Sequence, residues 1–305
     1  MSKMGAVPDS YVLVTAMKNE GKMLPGLFES VQKQSRRPVL WLIADDGSTD
    51  DGYEQAKKFA LSNPWVVVVT REEVPNPPWV RFGSAVSFGY EKALKMSKER
   101  GLEYAYLAVL DADTMVDKDY FEKLVAALGK DEKAAIASGM ITTVGGGRLE
   151  AKPAPRGCAR MYRRDFLEGI GGLRAYPAYE TIPEIKAMNR NLGFVVMDDA
   201  KGLHRRPSTQ ISDAQGLRSR GIVRYCMGMD FVSALAWSYV YARAVGFRHA
   251  RGFLGGYLEG VRKRYPRIDD EEVERYFKGS WKRFLLNSKT KDSVNELLVR
   301  LQCCP

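Results

Sequence analysis

Four groups of residues in this chain hold the side chains from which a catalytic site is built. They are Asp45-Asp46-Gly47-Ser48-Thr49-Asp50, Asp111-Ala112-Asp113, Glu180-Thr181-Ile182-Pro183-Glu184 and His204-Arg205-Arg206. Carboxylates of the first group suit hydrogen bonds from a base imide or from ribose hydroxyls. The same residues also suit a helix start, where Asp caps and the dipole favours acid. In the second group, two carboxylates spaced i, i+2 suit a hard divalent cation, one binding it and one holding ribose or a metal-bound water. Such a cation bridges two phosphates and neutralises charge that grows on a leaving group. A solvated acidic turn is the plainer alternative.

In the third group Thr181 and Glu184 have capping-box spacing with proline in the first turn, which gives Glu184 a structural task. Glu180, just outside that helix, is freer to face a ligand and is the candidate general base, with Glu184 in reserve. His204 is one of two histidines in the chain. It reads as a metal or phosphate ligand, with Arg205 and Arg206 suited to a pyrophosphate; a structural histidine is the alternative. His249, in a basic helical stretch, takes no role. A haloacid-dehalogenase-type phosphatase also sets Asp-x-Asp after a strand, but it wants Thr two places past the second Asp. Here Met115 stands there, and Thr114 comes one place early.

The elements that must position these groups follow from apolar runs and spacing. Strands are expected at Tyr11–Ala16, Val39–Ala44, Trp65–Thr70 and Tyr104–Leu110, with helices over Gly21–Gln34, Asp50–Leu61 and Gly83–Arg100. That alternation implies an α/β fold with a parallel sheet and right-handed crossovers, whose ligands bind beyond the carboxyl ends of the strands. The acidic groups fall at those ends. Further strands are expected at Ala134–Thr142, Gly157–Arg163 and Gly193–Met197, the last leading to His204. A short helix begins at Asp165–Glu168 and ends at Gly171-Gly172, and another spans Ile182–Asn191. The glycine- and proline-bearing segment Val144–Arg156 reads as a loop over the site. After about Asp213 the chain turns helical, apolar and basic, so the domains are read as 1–212 and 213–305.

These motifs, in this order, resemble inverting family 2 glycosyltransferases of the GT-A fold, a Rossmann-like, mostly parallel mixed sheet flanked by helices. The stretches that carry the resemblance are Thr15-Ala16-Met17-Lys18-Asn19-Glu20, Asp45 to Asp50, Arg81–Gly89 as a donor-facing turn and helix, and Leu110-Asp111-Ala112-Asp113. Arg163-Arg164 through Gly171-Gly172 to Glu180, and then His204, resembles the acceptor half. The resemblance covers roughly residues 10–212. It implies a nucleotide-diphosphate sugar donor contacted by Thr15, Glu20, Asp46 and Arg81, with Asp111 on ribose or metal. It further implies Mn2+ or Mg2+ on Asp113 with His204 on metal or diphosphate, and Glu180 as the base. Many members carry an acidic pair where this chain has Glu180-Thr181. With one base and one metal, the implied reaction is a single displacement that inverts the anomeric carbon. Two readings of other classes stand beside it: a phosphatase or nucleotidyl enzyme using Asp111 and Asp113, and a catalytically silent nucleotide-sugar-binding protein.

Composition narrows the partners. The chain has 305 residues, 45% apolar and 28% charged, an ordinary globular balance. Residues 1–200 carry 27 Lys+Arg against 27 Asp+Glu, whereas residues 201–305 carry 20 against 10, so the net charge of +10 lies in the last third. A basic third suggests an anionic partner. Within residues 222–265 aromatics such as Phe231, Trp237, Tyr239, Phe247, Phe253 and Tyr265 interleave with arginines, as in interfacial helices on anionic lipid. A lipid-linked acceptor at a membrane surface follows from that reading; packing of Phe231–Ala242 on the catalytic domain is the alternative. No nucleic-acid-binding motif is present. No uncharged stretch of the basic third reaches the ~20 residues of a spanning helix. The start of the chain lacks a signal-type apolar core, and Cys158, Cys226, Cys303 and Cys304 show no metal-ligand spacing, so a cytoplasmic location is expected.

Overall fold

The computed structural model describes residues 9–72, 77–144, 157–206 and 214–282. The expected loop Val144–Arg156 lies, past Val144 itself, outside the described residues. The chain divides into two compact units, Met1–Ala175 with Ala187–Pro207, and Tyr176–Lys186 with Ser208–Pro305.

The first unit is built on an eight-stranded mixed sheet. Strands β1 (Tyr11–Met17), β2 (Leu40–Asp45) and β3 (Val66–Thr70) are parallel and joined through helices α1 (Leu24–Gln32) and α2 (Gly52–Leu61). Helix α3 (Pro78–Glu99) then carries the chain to β4 (Tyr106–Leu110), which pairs parallel with β1 on its other side. Every residue of β1, β2 and β4 is buried. That explains their unbroken apolar runs, since a parallel strand covered on both faces has no polar side to alternate.

The rest of the unit comprises β5 (Thr114–Val116), α4 (Tyr120–Lys130), β6 (Ala134–Thr143), β7 (Ala159–Arg163), α5 (Arg164–Gly169), part of α6 (Thr181–Asn189) and β8 (Gly193–His204). The strand order is β3-β2-β1-β4-β7-β6-β8-β5, with β7 antiparallel to β4 and β6, and β5 antiparallel to β8. Strand β5 and helix α4 had no counterpart in the sequence reading. Helix α3 sits close on the sheet because position 89 is glycine: a Cβ there would lie 2.9 Å from Val14 Cγ1 and 3.1 Å from the Ala44 side chain. Trp41 on β2 gathers the aromatics of the opposite layer, with Phe28, Phe59 and Trp65 rings each 6.0 Å away.

The second unit is helical, with α7 (Ala214–Cys226), α8 (Phe231–Val245), α9 (Phe247–Lys263) and α10 (Glu271–Phe277). Asp230 and Asp270 cap α8 and α10 by accepting from the Ser233 and Val273 backbone N–H groups at 2.9 and 3.2 Å. The segment Tyr176–Lys186 belongs here because Lys186 Nζ meets Asp270 at 2.6 Å, both side chains nearly buried, and Tyr176 donates to the Asp269 carbonyl at 3.3 Å. Among the described residues no helix is long and apolar enough to cross a membrane.

Candidate active site

Strand β1 lies between β2 and β4, and the sheet grows outward from it in both directions. The chain leaves these three strands at Met17, Asp45 and Leu110, so Lys18–Glu20, Asp46–Asp50 and Asp111–Asp113 emerge side by side at one edge. A crevice beyond the carboxyl ends at such a switch in strand order is where an open α/β sheet binds ligands.

The first two loops are stitched together. Asn19 takes a left-handed conformation (φ 56°). Its side-chain Oδ1 thereby accepts from Thr49 N at 2.7 Å and Asp50 N at 3.3 Å, while its own N–H donates to Ser48 Oγ at 2.9 Å. Asp50 Oδ2 returns the tie by accepting from Gly21 N at 2.8 Å. Asp45 is spent on the turn itself, accepting from Ser48 N at 3.2 Å and Thr70 Oγ1 at 3.0 Å. Asp46 is the carboxylate left for the crevice. It is nearly buried and held by Arg71, whose Nε and Nη2 both lie 2.7 Å from Oδ1. Arg71 Nη1 in turn donates to Ser84 O and Oγ on α3 at 3.1 and 2.9 Å, so Asp46 is fixed to two elements.

At the third loop, β5 pairs with β8 so that Thr114 stands opposite His204, and Arg205 N donates to Asp113 O at 2.8 Å. His204 Nε2 then lies 3.3 Å from Asp113 Oδ1. His204 Nδ1 lies 2.8 Å from the Arg206 carbonyl, a contact that requires it to donate and leaves Nε2 facing the carboxylate. Arg206 bridges onward, paired with Glu20 and 3.6 Å from Asp113 Oδ2. Burial alone would raise the Asp113 carboxyl, but the hydrogen bond and charge of His204 and the charge of Arg206 outweigh it and hold it below its ordinary value. His204 is raised, chiefly by its hydrogen bond to Asp113, with the Asp111 charge adding to the effect. Glu20 is raised by burial, which Arg206 offsets only in part.

A cavity of about 350 Å³ opens among these loops. Four of the expected donor residues, Glu20, Asp46, Arg81 and Asp111, line it, together with the expected metal ligand Asp113. Thr15 does not; it is fully buried, and its hydroxyl accepts from the Trp41 indole at 3.1 Å. Lys18 and Phe82 also line the cavity and were not singled out, although Lys18 stands within the stretch Thr15–Glu20 and Phe82 beside Arg81. Arg71 had no signal at all, because its link to Asp46 exists only once β2 and β3 are paired.

Among the described residues no three His, Cys, Asp or Glu side chains converge as a metal cage. The donor set is a carboxylate and an imidazole, Asp113 with His204, whose Oδ1 and Nε2 face each other at 3.3 Å. This fits an open site. Mg2+ in phosphate-handling sites is held by one or two carboxylates, with substrate phosphates and water completing the shell.

Glu180 and Glu184 belong to the second unit. Glu180 is half-buried and follows Ala178, whose φ of 50° is left-handed for a non-glycine residue. Glu184 is nearly buried on α6. The expected capping box is not formed: Thr181 is already helical, and its buried hydroxyl takes no hydrogen bond among the described residues.

The sequence profile described as glycosyl transferase family 2 matches residues 12–192. The chain belongs to that family. It is a glycosyltransferase, and the sheet and flanking helices are those of the GT-A fold. The structure is similar to a mannosyltransferase from Pyrobaculum calidifontis in complex with GDP-Man and Mn2+, at 12% identity over 96% of this chain and 84% of that one, TM-score 0.52. It is also similar to S. aureus TarS 1-349 in complex with UDP-GlcNAc, at 14% identity over 97% and 82%, TM-score 0.52. GalNAc-T7 with UDP, GalNAc and Mn2+ gives 17% identity over 86% and 59%, TM-score 0.54. At these identities the likeness shows the fold. No curated protein sequence matches the chain.

Proposed function

We propose that this glycosyltransferase takes its sugar from a UDP- or GDP-sugar bound in the cavity beyond β1, β2 and β4, and inverts the anomeric carbon in a single displacement. The observation that carries the proposal is the convergence of Glu20, Asp46, Arg81, Asp111 and Asp113 on one cavity, with His204 paired to Asp113. Asp46 and Glu20 receive the hydrogen-bond donors of base and ribose; Asp111 holds ribose or assists the metal. Arg81 and Arg206 face the diphosphate, where guanidinium forks match phosphate oxygens. Asp113 and His204 hold Mn2+ or Mg2+, which when bound offsets the negative charge of the departing nucleoside diphosphate. Glu180 accepts the proton of the acceptor hydroxyl as its oxygen attacks; an acceptor phosphate attacks in the same place without needing that proton removed. The left-handed Ala178, two residues before Glu180, is the kind of backbone strain that gathers at functional sites. The basic second unit directs the enzyme to a lipid-linked acceptor at the cytoplasmic face of a membrane, in glycan or glycolipid synthesis.

The test is release of UDP or GDP from a panel of nucleotide sugars, with Mn2+, with Mg2+ and with EDTA. Metal-dependent release that is lost in Asp113→Ala supports the proposal. Release of inorganic phosphate from simple phosphate esters by the same site, with no nucleotide sugar consumed, overturns it.

A further inference from the structure

The second unit contains a cavity of its own, about 540 Å³ in volume, lined by Arg218 of α7 and by Phe247, Arg248, Arg251, Gly252 and Gly255 of α9. Three guanidinium groups around one hollow concentrate positive charge there. Arg218 is already paired, donating to Glu259 Oε2 from Nε at 3.0 Å and Nη2 at 2.7 Å. Arg248 and Arg251 are exposed, and their side chains make no hydrogen bond or ion pair among the described residues.

Three of the four glycines of α9 divide into two kinds. Gly256 and Gly260 are required by packing, since a Cβ would lie 1.9 Å from the Arg218 carbonyl oxygen and 2.5 Å from the Tyr225 ring. Gly255 is not, because a Cβ there would meet nothing within 4 Å. Glycine inside a helix is disfavoured without such a cause. Gly255 lines the cavity and has no side chain to narrow it, so the space there stays open.

The exposed apolar side chains of the second unit say what kind of anion. Phe247 at the cavity is 72% exposed and Val245, two residues before it, is 37% exposed. On α8, Phe231, Leu235 and Tyr239 recur every four residues on one face and are 48%, 44% and 61% exposed. Residues 214–267 carry ten Arg+Lys against two Asp+Glu. A free phosphate would need the arginines and not the apolar neighbours. A bilayer needs both, with aromatic and aliphatic side chains at the acyl boundary and cations at the phosphates.

We propose that the arginine-lined cavity between α7 and α9 receives the phosphate headgroup of an anionic lipid and docks the second unit on the surface of an anionic bilayer. This deepens the membrane-surface part of the proposed function and names the residues that make the contact.

The full chain is sedimented with vesicles of phosphatidylcholine alone and of phosphatidylcholine mixed with phosphatidylglycerol. Binding to the mixed vesicles only is expected, weakening as salt is raised. Arg248→Ala with Arg251→Ala should weaken it about thirtyfold, each cation near the surface being worth roughly fivefold. Gly255→Leu keeps every arginine and projects into open space, so it should retain the fold by circular dichroism yet also weaken binding by filling the cavity. Equal binding by wild type and both variants overturns the proposal. So does a cavity that answers inorganic phosphate, by a melting shift lost in the double variant, while the mixed vesicles are ignored. Nucleotide-induced melting shifts on the same preparations separate the two proposals: a nucleotide response without vesicle binding sinks only the lipid site, and the reverse sinks only the donor site.

Discussion

Replacing Arg71 with leucine tests whether Asp46 is held as described. The two side chains are 12% and 5% exposed and meet at 2.7 Å, so the pair is well inside the range where solvent no longer masks a lost partner. Removing one member of a buried pair strands the other charge and costs about 3–5 kcal/mol, against roughly 0–1 kcal/mol for an exposed pair. A unit of this size loses ~2–4 °C of melting temperature per kcal/mol, so Arg71→Leu should lower the melting point by roughly 6–20 °C. The double variant Arg71→Leu/Asp46→Leu removes both charges and should recover most of that loss, because an apolar pair of similar volume is tolerated where a lone charge is not. Urea unfolding of wild type, both single variants and the double variant closes the cycle and gives the coupling energy. Neither the single nor the double variant should respond to nucleotide, since the Asp46 carboxylate is unheld in one and absent in the other. A loss under about 1 kcal/mol for Arg71→Leu would refute the reasoning: the pair would then be solvated, and Asp46 would be free of α3.

Further outcomes follow from the same geometry. His204 is raised by Asp113, so in EDTA the stability their pair contributes is complete below the ordinary histidine value of ~6.5 and is lost as pH rises through the folded value. Asp113→Asn should flatten that part of the melting-temperature profile and lower the His204 titration seen by NMR; an unchanged His204 titration contradicts the pairing. Glu180→Gln should remove transfer while sparing nucleotide binding, measured by product formation beside calorimetric titration. Full transfer in that variant would move the base to Glu184 or elsewhere. Gly89→Val should cost about 1–3 kcal/mol by overpacking α3 against Val14 and Ala44, read from urea unfolding.

Much of the first unit was legible because its strands are covered on both faces and therefore written as continuous apolar runs. Tyr11–Ala16 and Val39–Ala44 each match their strand to within a residue or so. The acidic groups were legible for a related reason: an abrupt change from apolar to acid marks the end of a buried strand, and beyond that end is where open α/β sheets in general bind ligands. Strand β5 escaped because three residues, Thr114–Val116, carry no periodicity and become a strand only by pairing with β8. Strand β8 was read too short because it passes the register shift between Gly139 and Met140 of β6, beyond which Lys201–His204 resume the pairing. Thr15 was misplaced because a hydroxyl at a strand end looks the same in sequence whether it faces the crevice or, as here, the Trp41 indole behind it. The Asp113–His204 pairing spans ninety-one positions and depends on β5 and β8 lying side by side, so only its members, and not their contact, were visible beforehand.

The most direct test of the donor site is a thermal-shift panel of UDP, GDP and their common sugar conjugates, each with Mn2+ and with EDTA, on wild type and Asp113→Ala. A ligand at ~100 times its Kd adds ~2.7 kcal/mol. At ~2–4 °C per kcal/mol that is roughly 5–11 °C, well above the resolution of the method. A metal-dependent rise with one nucleotide family, absent in Asp113→Ala, is the predicted result. No rise with any nucleotide, or a rise that Asp113→Ala leaves intact, would contradict the assignment of this cavity to a metal-bound nucleotide sugar.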